Sequence, residues 1–309
     1  MAFTAADVKK LREMTNVGMM DCKKALSASD GDMDKAVEWL RERGLAAAAK
    51  KSGRIAAEGM VTAVVEGNVG AIVEVNAETD FASKSPVFVE LVNDVAKVVV
   101  EQNPADLDAL MACTYPGTEK TIADMIPEKV LVVGENLKVR RFARYDTGVT
   151  VAYNHMGGRI GVLVNMTVEG IDPAAVTEMG KDLCMQVAAM NPAFCDKSDV
   201  DQATLDKEKE IQLALAMNEN EKAAKPKPQN IIEKMVMGRI GKYYEENCLM
   251  QMTFVKDNKM SVEQYVASTA KSLGGSIKVN SFVRFEKGEG IEKKVDDFAA
   301  EVAAAAGLN

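Results

Sequence analysis

The 309-residue sequence is poor in the residues that most often carry catalysis or cross-linking. It has one histidine, one tryptophan and five cysteines, an odd and scattered set that fits neither a disulfide framework nor a CxxC metal site. Scattered free cysteines are typical of a reducing compartment. No apolar run approaches the ~18 residues of a membrane-spanning helix, and the charged, periodic N-terminus lacks the apolar region of a signal peptide. We therefore expect a cytoplasmic protein with no membrane segment.

Clustered positive charge is also missing. The formal net charge is −8, and no run of lysine and arginine appears in the sequence. Such a sequence has no electrostatic footprint for the direct binding of nucleic acid. The acidic surface could meet a basic patch on a partner protein, but it also keeps a chain soluble, and we prefer that simpler interpretation.

Recognisable catalytic motifs are absent too. His155, the lone histidine, lies beside glycines in "AYNHMGGRIG" and is a candidate general base. No serine or cysteine stands near it at the spacing of a nucleophile elbow. The glycines fall in a hairpin turn, whereas a phosphate loop lies between a strand and a helix. No metal-ligand cluster appears. The sequence favours a binding protein over an enzyme and predicts neither a cofactor nor a metal site.

The chain opens with short helical segments between residue 4 and about residue 52. Thr4 can cap the first helix and Asp32 the third, and Gly44 can stop the third. The stretch "LAAAAKKSGR" continues as a helical linker. The apolar positions expected on the inner faces are Val8, Leu11 and Met14 in the first helix, and Ala36, Trp39 and Leu40 in the third. Three helices in so few residues predict a small bundle.

An internal repeat follows. "MVTAVVEGNVGAIVEVN" and "GVTVAYNHMGGRIGVLVNM" each read as two strands around a turn, and residues 70–73 match residues 161–164 at an offset of 91. Later, "LKVRRFARY" at 137–145 returns as "IKVNSFVRF" at 277–285. The offset has grown from 91 to 140, so the second copy carries 49 additional residues. We predict an α+β core of two related β-β-α-β subdomains with antiparallel sheets, the second one interrupted.

The interruption reads as a helical hairpin around "KAAKPKPQ". Its expected apolar stripes are Leu205, Ile211 and Leu215 on one helix and Ile231, Met235 and Ile240 on the other. Such a hairpin is too small to stand alone, so it must pack on the core, on a second copy of the chain or on another protein. The ending "GIEKKVDDFAAEVAAAA" predicts an amphipathic C-terminal helix with the stripe Ile291, Val295, Phe298 and Val302.

These patterns divide the chain into five parts. We expect the N-terminal bundle and linker at 1–55, the first subdomain at 56–145, the second subdomain at 146–190 and 246–286, the hairpin at 191–245 and the C-terminal helix at 287–309.

One residue in the first copy is out of place. Phe81 stands in the polar turn "ETDFASKS" between a strand and a helix, where it covers nothing local. The corresponding turn of the second copy, "EGIDPAAV", has Asp172 and Pro173, an ordinary helix start. The fold can therefore make this turn without an aromatic residue. We predict that Phe81 serves a contact outside the chain, and burial in the core is the alternative.

Several stretches resemble the bacterial elongation factor Ts family, guanine-nucleotide exchange factors for the translational GTPase elongation factor Tu. They are "LREMTNVGMMDCKKAL", "EVNAETDFASK", "YNHMGGRIGVLV", "PKPQNIIEKMVMGR" and "FVRFEKGEGIEKKVDDFAAEVA", which follow the family order from end to end. The departures are small. Asn16 stands where the family usually has glycine, Thr253 where proline is usual, and Ala82 where valine is common.

The resemblance implies an N-terminal module like a ubiquitin-associated domain, which docks a helix of the GTPase domain through Met19, Met20 and Lys23. Adjacent residues on a helix do not share one face. Met19 and Met20 therefore cannot both point inward, and one exposed methionine is expected on geometry alone. Burial of the pair as core packing is the alternative.

The resemblance also places the stretch from Thr79 to Ala82 against the GTPase near its nucleotide. Phe81 would wedge between helices, Asp80 would support the contact, and the groups that hold Mg²⁺ would be displaced. His155 would contact another domain of the GTPase, with a structural histidine as the alternative. Two other functions stay open: a helix-binding adaptor without exchange activity, and an enzyme that uses His155. A homodimer through the hairpin is open as well.

Overall fold

The computed structural model describes residues 3–222 and 226–292, and these form an α+β protein with a helical N-terminus, as predicted. The C-terminal helix was predicted for a segment of which 293–309 lie outside the described residues. The helices are α1 (Ala5–Thr15), α2 (Met19–Ala28), α3 (Met33–Lys51), α4 (Asp80–Ser83), α5 (Pro86–Gln102), α6 (Leu107–Ala112), α7 (Ile122–Val133), α8 (Thr177–Met190), α9 (Gln202–Glu221), α10 (Gln229–Asn247) and α11 (Val262–Leu273). The strands are β1 (Glu58–Glu66), β2 (Val69–Ala77), β3 (Lys138–Tyr145), β4 (Val149–His155), β5 (Ile160–Glu169), β6 (Thr253–Phe254), β7 (Asp257–Ser261) and β8 (Ser276–Glu286).

The helices α1 and α3 start where their predicted caps place them. Thr4 and Asp7 form a capping box at α1, and the Asp32 carboxylate accepts two backbone amides at α3. Asn16 ends α1 in the left-handed conformation, with φ at 54°, which asparagine tolerates better than most residues. Its presence in place of glycine therefore costs the backbone little. The prediction that Met14 faces inward is wrong, because its side chain is 57% exposed.

The prediction that Gly44 stops α3 is also wrong, since the helix continues to Lys51. Gly44 is buried, and a Cβ atom there would lie 2.9 Å from the backbone oxygen of Pro127 in α7. The glycine therefore allows close approach of two helices. Leu131 and Val132 of α7 complete the apolar contact with the bundle.

The internal repeat is confirmed by the element boundaries. β1, β2 and α5 begin at residues 58, 69 and 86, and β4, β5 and α8 begin 91 residues later, at 149, 160 and 177. The two three-stranded antiparallel sheets have the orders β1-β2-β3 and β4-β5-β8. Val73 pairs with Phe142 in the first, and the equivalent Val164 pairs with Phe282 in the second. Each central strand also carries an irregularity at the same place, directly after Glu74 or Asn165.

The two sheets pack face to face through equivalent positions of the repeat. The backbone N–H of Ala63 donates to Oδ1 of Asn154 at 2.8 Å, and Nδ2 of Asn154 donates to the Ala63 carbonyl at 2.8 Å, 91 residues away. Ile72 and Leu163, another equivalent pair, are both fully buried in the same cluster. Contacts between equivalent residues occur close to a two-fold axis. The subdomains are therefore related by an approximate two-fold rotation.

Helices cover the outer face of each sheet. α5 packs on the first sheet, where Phe88 and Leu91 are fully buried against the strands, and α7 packs on α5. α8 and α11 cover the second sheet, with Leu183 and Val266 in its core. The α-β layers leave the strand ends and connecting turns at the edges of the core.

The helical hairpin is present as α9 and α10, but its predicted stripes are only partly right. Ile211, Leu215 and Ile231 are exposed. The buried seam contains the predicted Leu205 and Ile240, together with Leu213, Ala216, Ile232, Val236 and Tyr244. Two helices packed on each other bury one narrow seam each. Several apolar residues lie beside that seam in the sequence pattern, and periodicity alone cannot select among them.

A buried carboxylate joins the first sheet to the end of β8. Glu74 has no exposed surface and accepts hydrogen bonds from Arg140, Arg141, Asn76 and the backbone N–H of Gly288. Burial on its own would raise the pKa of this carboxyl, but the four donors together outweigh it and hold the pKa below the ordinary value of 4.5. In the second copy the equivalent residue is the neutral Asn165, which bonds to Thr150 and Asn280.

We predict that Gly161→Val destabilises the core by about 2 kcal/mol, because the site between the sheets has no room for a side chain. A Cβ atom at Gly161 would lie 2.5 Å from Cγ1 of Val61 and 3.1 Å from Cδ1 of Ile72. Urea unfolding followed by circular dichroism measures the change. Gly238→Ala in α10 is the control, since no heavy atom lies within 4 Å of its Cβ position. Equal stability of Gly161→Val and the parent would contradict the proposed closeness of the sheets.

Glu74→Gln should lower the free energy of unfolding at neutral pH by about 3 kcal/mol, because Arg140 and Arg141 lose their buried counter-charge. The pKa of Glu74 is lower in the folded state. Its contribution is therefore complete above the unfolded value near 4.5 and is lost as the pH falls through the folded value. The gap between parent and variant should narrow in acid, as seen by urea titrations at several pH values. Glu101→Gln, at an exposed ion pair with Lys97, is the control and should change little.

Candidate partner-binding site

The turn that carries Phe81 is a single turn of helix, α4. The hydroxyl of Thr79 caps it by accepting the N–H of Ala82 at 3.2 Å, and the hydroxyl of Ser83 donates to the Asp80 carbonyl at 2.8 Å. The side chain of Ala82 is buried in the core of the first subdomain, with Phe88 and Leu91. Directly beside it, Phe81 is 84% exposed. The small inward residue fastens the turn to the core, and the large residue faces solvent.

Phe81 is therefore not a core residue of the isolated chain. Burying a phenylalanine stabilises a fold by roughly 2 kcal/mol, and this position forgoes that gain. The corresponding turn of the second copy begins as its sequence predicts. The Asp172 carboxylate accepts the N–H of Ala174 at 3.0 Å, and Pro173 is the first helical residue. The copies make the same connection, and only the first displays an aromatic ring.

Asp80 is held by its neighbour on the next turn. Nζ of Lys84 donates to the Asp80 carboxylate at 2.6 Å, and this hydrogen bond is the main cause that lowers the pKa of Asp80 below its ordinary value. Asp80 is exposed to solvent, so the pair directs the carboxylate and adds little to stability. The charged group and the aromatic ring are adjacent on one exposed turn.

A second segment clamps the base of α4. The Glu135 carboxylate accepts both the backbone N–H of Thr79 at 2.9 Å and its hydroxyl at 2.6 Å. In return, the Glu78 carboxylate accepts the N–H of Asn136 at 2.7 Å. Sequence reasoning missed this clamp. Its partners are 56 residues apart and no motif joins them, so no local signal could have found it.

The three N-terminal candidates lie on α2. Met19 and Met20 are both exposed, at 48% and 64%, and Lys23 is exposed as well. Cys22, between them, is fully buried and faces the bundle core. The sequence predicted at least one exposed methionine, and the structure leaves both in solvent. Methionine suits adaptable contact surfaces because its side chain is flexible and polarisable.

His155 is the last residue of β4 and is half-buried. Its Nδ1 lies 2.9 Å from the Tyr153 hydroxyl. The next residue, Met156, is 67% exposed and has a φ of 49°. Its exposure was not anticipated from the sequence.

The structure brings the His155 turn and α4 towards one edge of the core. The backbone N–H of Lys287 donates to the Arg159 carbonyl at 2.9 Å, and the N–H of Arg159 donates to the His155 carbonyl at 3.1 Å. The ammonium of Lys287 pairs with the Glu58 carboxylate at the start of β1, the strand beside which α4 packs. Met19 and Met20 lie on the bundle that meets the core through α7.

The described residues contain no cluster of three or more His, Cys, Asp or Glu side chains that could hold a metal ion. All five cysteines lie in the described part and are free, and four of them are buried. Within residues 3–222 and 226–292, none of the helices is both long enough and apolar enough to cross a membrane. What the site offers is an exposed aromatic residue with a charged neighbour on a clamped turn, which suits recognition of another macromolecule.

Comparison with known proteins agrees with the motifs. The family model described as "Elongation factor TS" matches residues 78–289. Elongation factor Ts of Clostridium botulinum is 50% identical over 304 residues, which cover 97% of each chain. Elongation factor Ts of Trichlorobacter lovleyi is 46% identical over 316 residues, which cover 100% of each chain. The family match includes the clamped turn, β3 and the whole second sheet, and the relatives extend it over β1, β2 and the N-terminal bundle. The chain belongs to the elongation factor Ts family.

Proposed function

We propose that this protein is a guanine-nucleotide exchange factor that binds the GDP complex of elongation factor Tu and promotes release of GDP. The observation that carries the proposal is the 84% exposure of Phe81 on a turn whose neighbour Ala82 is buried in the core. A rigid turn that presents a large apolar ring is suited to insertion into a partner. Membership in the family supplies the identity of that partner.

In the proposed mechanism Phe81 enters between helices of the GTPase near its nucleotide, with Thr79, Asp80 and Ala82 supporting the contact. The insertion displaces the groups that hold Mg²⁺ and the phosphates. Loss of a divalent cation removes the largest local counter-charge of a bound diphosphate, so GDP is held less tightly. No covalent step is required. The protein acts as a binding factor with no catalytic residue, cofactor or metal of its own, and GTP then displaces it.

The energetics follow from linkage. If the factor weakens GDP binding by some ratio, GDP weakens binding of the factor by the same ratio. Each tenfold corresponds to about 1.4 kcal/mol. One buried aromatic anchor at an interface can contribute ~2 kcal/mol or more. Phe81 can therefore account for more than one decade of coupling, and the remainder must come from other contacts.

We assign those other contacts to Met19, Met20 and Lys23 on the bundle and to His155 on the second subdomain. All three bundle residues are exposed, and His155 is half-buried at the end of β4. We expect no direct nucleic-acid contact and a cytoplasmic location, as befits a translation factor. The proposal includes the division of the chain into an N-terminal bundle, two core subdomains, a hairpin and a C-terminal helix.

The hairpin is the proposed homodimer contact. It leaves several large apolar side chains in solvent on two helices that bury only a narrow seam: Ile211, Leu215, Met217, Ile231 and Met237. Apolar residues repeated along one exposed helical pair favour association with another helical surface.

The second candidate function is a helix-binding adaptor without exchange activity. The exposed methionines of α2 favour it, because they form a small apolar surface on the N-terminal helical bundle. An adaptor would bind the GTPase without changing the rate at which GDP leaves. Release kinetics therefore separate the two functions.

Phe81→Ala should fold normally and accelerate GDP release at least tenfold less than the parent, because an exposed residue contributes little to the fold but anchors the interface. Stopped-flow release of labelled GDP from elongation factor Tu measures the effect. Val65→Ala is the matched control, since Val65 is an exposed apolar residue at the opposite end of β1. If GDP is released as fast with Phe81→Ala as with the parent protein, insertion of this ring is ruled out.

The pair Met19→Ala and Met20→Ala should weaken binding of the GTPase about tenfold while leaving release at saturating factor unchanged. The reason is that α2 belongs to the N-terminal bundle, outside the helix that carries Phe81, and would contribute affinity alone. Titration calorimetry gives the dissociation constant, and stopped-flow release gives the maximal rate. Met190→Ala, at an exposed methionine that ends α8, is the control. Unchanged affinity in the double variant would remove the bundle from the interface.

A further inference from the structure

We propose that Glu135 is a positioning residue that holds the Phe81 helix in the orientation required for insertion. The proposal rests on the exchange function and deepens it. The Glu135 carboxylate accepts two hydrogen bonds from one residue, from the backbone N–H and the hydroxyl of Thr79, at 2.9 and 2.6 Å. Bonds to a charged acceptor are among the stronger hydrogen bonds in proteins.

Glu135 is itself fixed by the helix that precedes it. Gly134 ends α7 in the left-handed conformation, with φ at 84°, and its N–H donates to the Val130 carbonyl at 2.9 Å. The following residue, Asn136, is held by Glu78 at 2.7 Å and donates from Nδ2 to the Arg54 carbonyl at 2.8 Å. Hydrogen bonds of both neighbours of Glu135 restrain its backbone. The Glu135 carboxylate therefore links the C-terminal end of α7 to the base of α4.

The helix α4 would not be stable without contacts to the rest of the protein. α4 has four residues, and an isolated helical turn is unstable because the first turn fixes many dihedral angles for one hydrogen bond. The Thr79 hydroxyl accepts a hydrogen bond from the N–H of Ala82 and donates one to the Glu135 carboxylate. The carboxylate therefore fixes the rotamer of the residue that caps the turn. An interface residue that is already oriented binds at a lower entropic cost.

The second copy of the repeat offers an internal comparison. The positions equivalent to Thr79 and Glu135 are Gly170 and Gly275, whose backbones pack together: a Cβ atom at Gly170 would lie 3.6 Å from Cα of Gly275. The neighbouring bond is kept, since the Ser276 hydroxyl donates to the Glu169 carboxylate at 3.3 Å, as Asn136 does to Glu78.

The carboxylate clamp is thus specific to the copy that displays an aromatic ring. The fold joins these two segments in either copy. In the second it does so through the β5–β8 ladder, which pairs Glu169 with Ser276, together with two close glycines and one hydroxyl bond. The additional clamp in the first copy coincides with Phe81. The clamp therefore connects the segments beside Phe81, where the second copy uses strand pairing, and it also fixes the residue that caps the helix carrying the ring.

The test compares three variants with the parent. Glu135→Ala removes both acceptors and should slow maximal GDP release from elongation factor Tu roughly tenfold, the equivalent of about one well-made hydrogen bond. Glu135→Gln should recover most of the rate, because the amide can still accept the Thr79 N–H and can donate to its hydroxyl. Glu169→Ala, in the corresponding turn of the second copy, should match the parent. The thermal midpoints of all three should stay close together.

Two further measurements separate this proposal from the exchange function. In a Phe81→Ala background, Glu135→Ala should slow release little further, because the residue acts through the ring. In the free protein, Glu135→Ala should speed hydrogen exchange of the amides at residues 81–85 and leave those of β1 unchanged. If Phe81→Ala slows release but Glu135→Ala alters neither release nor exchange at 81–85, positioning is overturned and the exchange function stands. If Phe81→Ala leaves release unchanged, the exchange function fails, and local hydrogen exchange still decides whether Glu135 orders α4.

Discussion

The structure depends on the face-to-face packing of its two sheets. Equivalent residues meet across an approximate two-fold axis, with Ala63 and Asn154 exchanging two hydrogen bonds and Ile72 and Leu163 buried together. Each sheet carries its helices on the opposite face, so neither subdomain could bury both faces alone. The packing also fixes where the strand ends lie. It brings the start of β1, the end of β2 and the end of β8 to one edge, where Glu58 pairs with Ala77 in the sheet and forms an ion pair with Lys287.

Against this symmetric frame, the differences between the copies mark where the first one is specialised. At the central strands, a buried glutamate with two arginines, Glu74, corresponds to the neutral Asn165. At the following turn, a clamped threonine and an exposed phenylalanine correspond to two glycines and an Asp-Pro helix start. A buried charge network and an exposed aromatic residue both reduce the stability that an apolar arrangement would provide. Their concentration at one edge of one copy favours a functional cause.

Much of the fold could be predicted because it is encoded locally. The caps at Thr4 and Asp32, the strand pairs and the repeat were all visible as short patterns, and each is present. The failures share a different cause. In the sequence, Gly44 resembles the glycine that ends a helix. The structure shows that it lies inside α3, where it allows close approach of α7. The seam of the hairpin and the outward position of Met14 likewise depend on which neighbour each helix meets, and periodicity does not contain that information.

At the candidate site, too, some features follow from the sequence and others only from the tertiary structure. The sequence by itself determined that Phe81 is unusual, because the sister turn manages without an aromatic residue, and its motifs determined the family. Only the tertiary structure decided that the ring is exposed, that Met19 and Met20 are both in solvent, and that Glu135 holds the turn. The physical reason is distance along the chain. Exposure and clamping arise from contacts between segments far apart in sequence, and these exist only once the sheets and α7 have assembled.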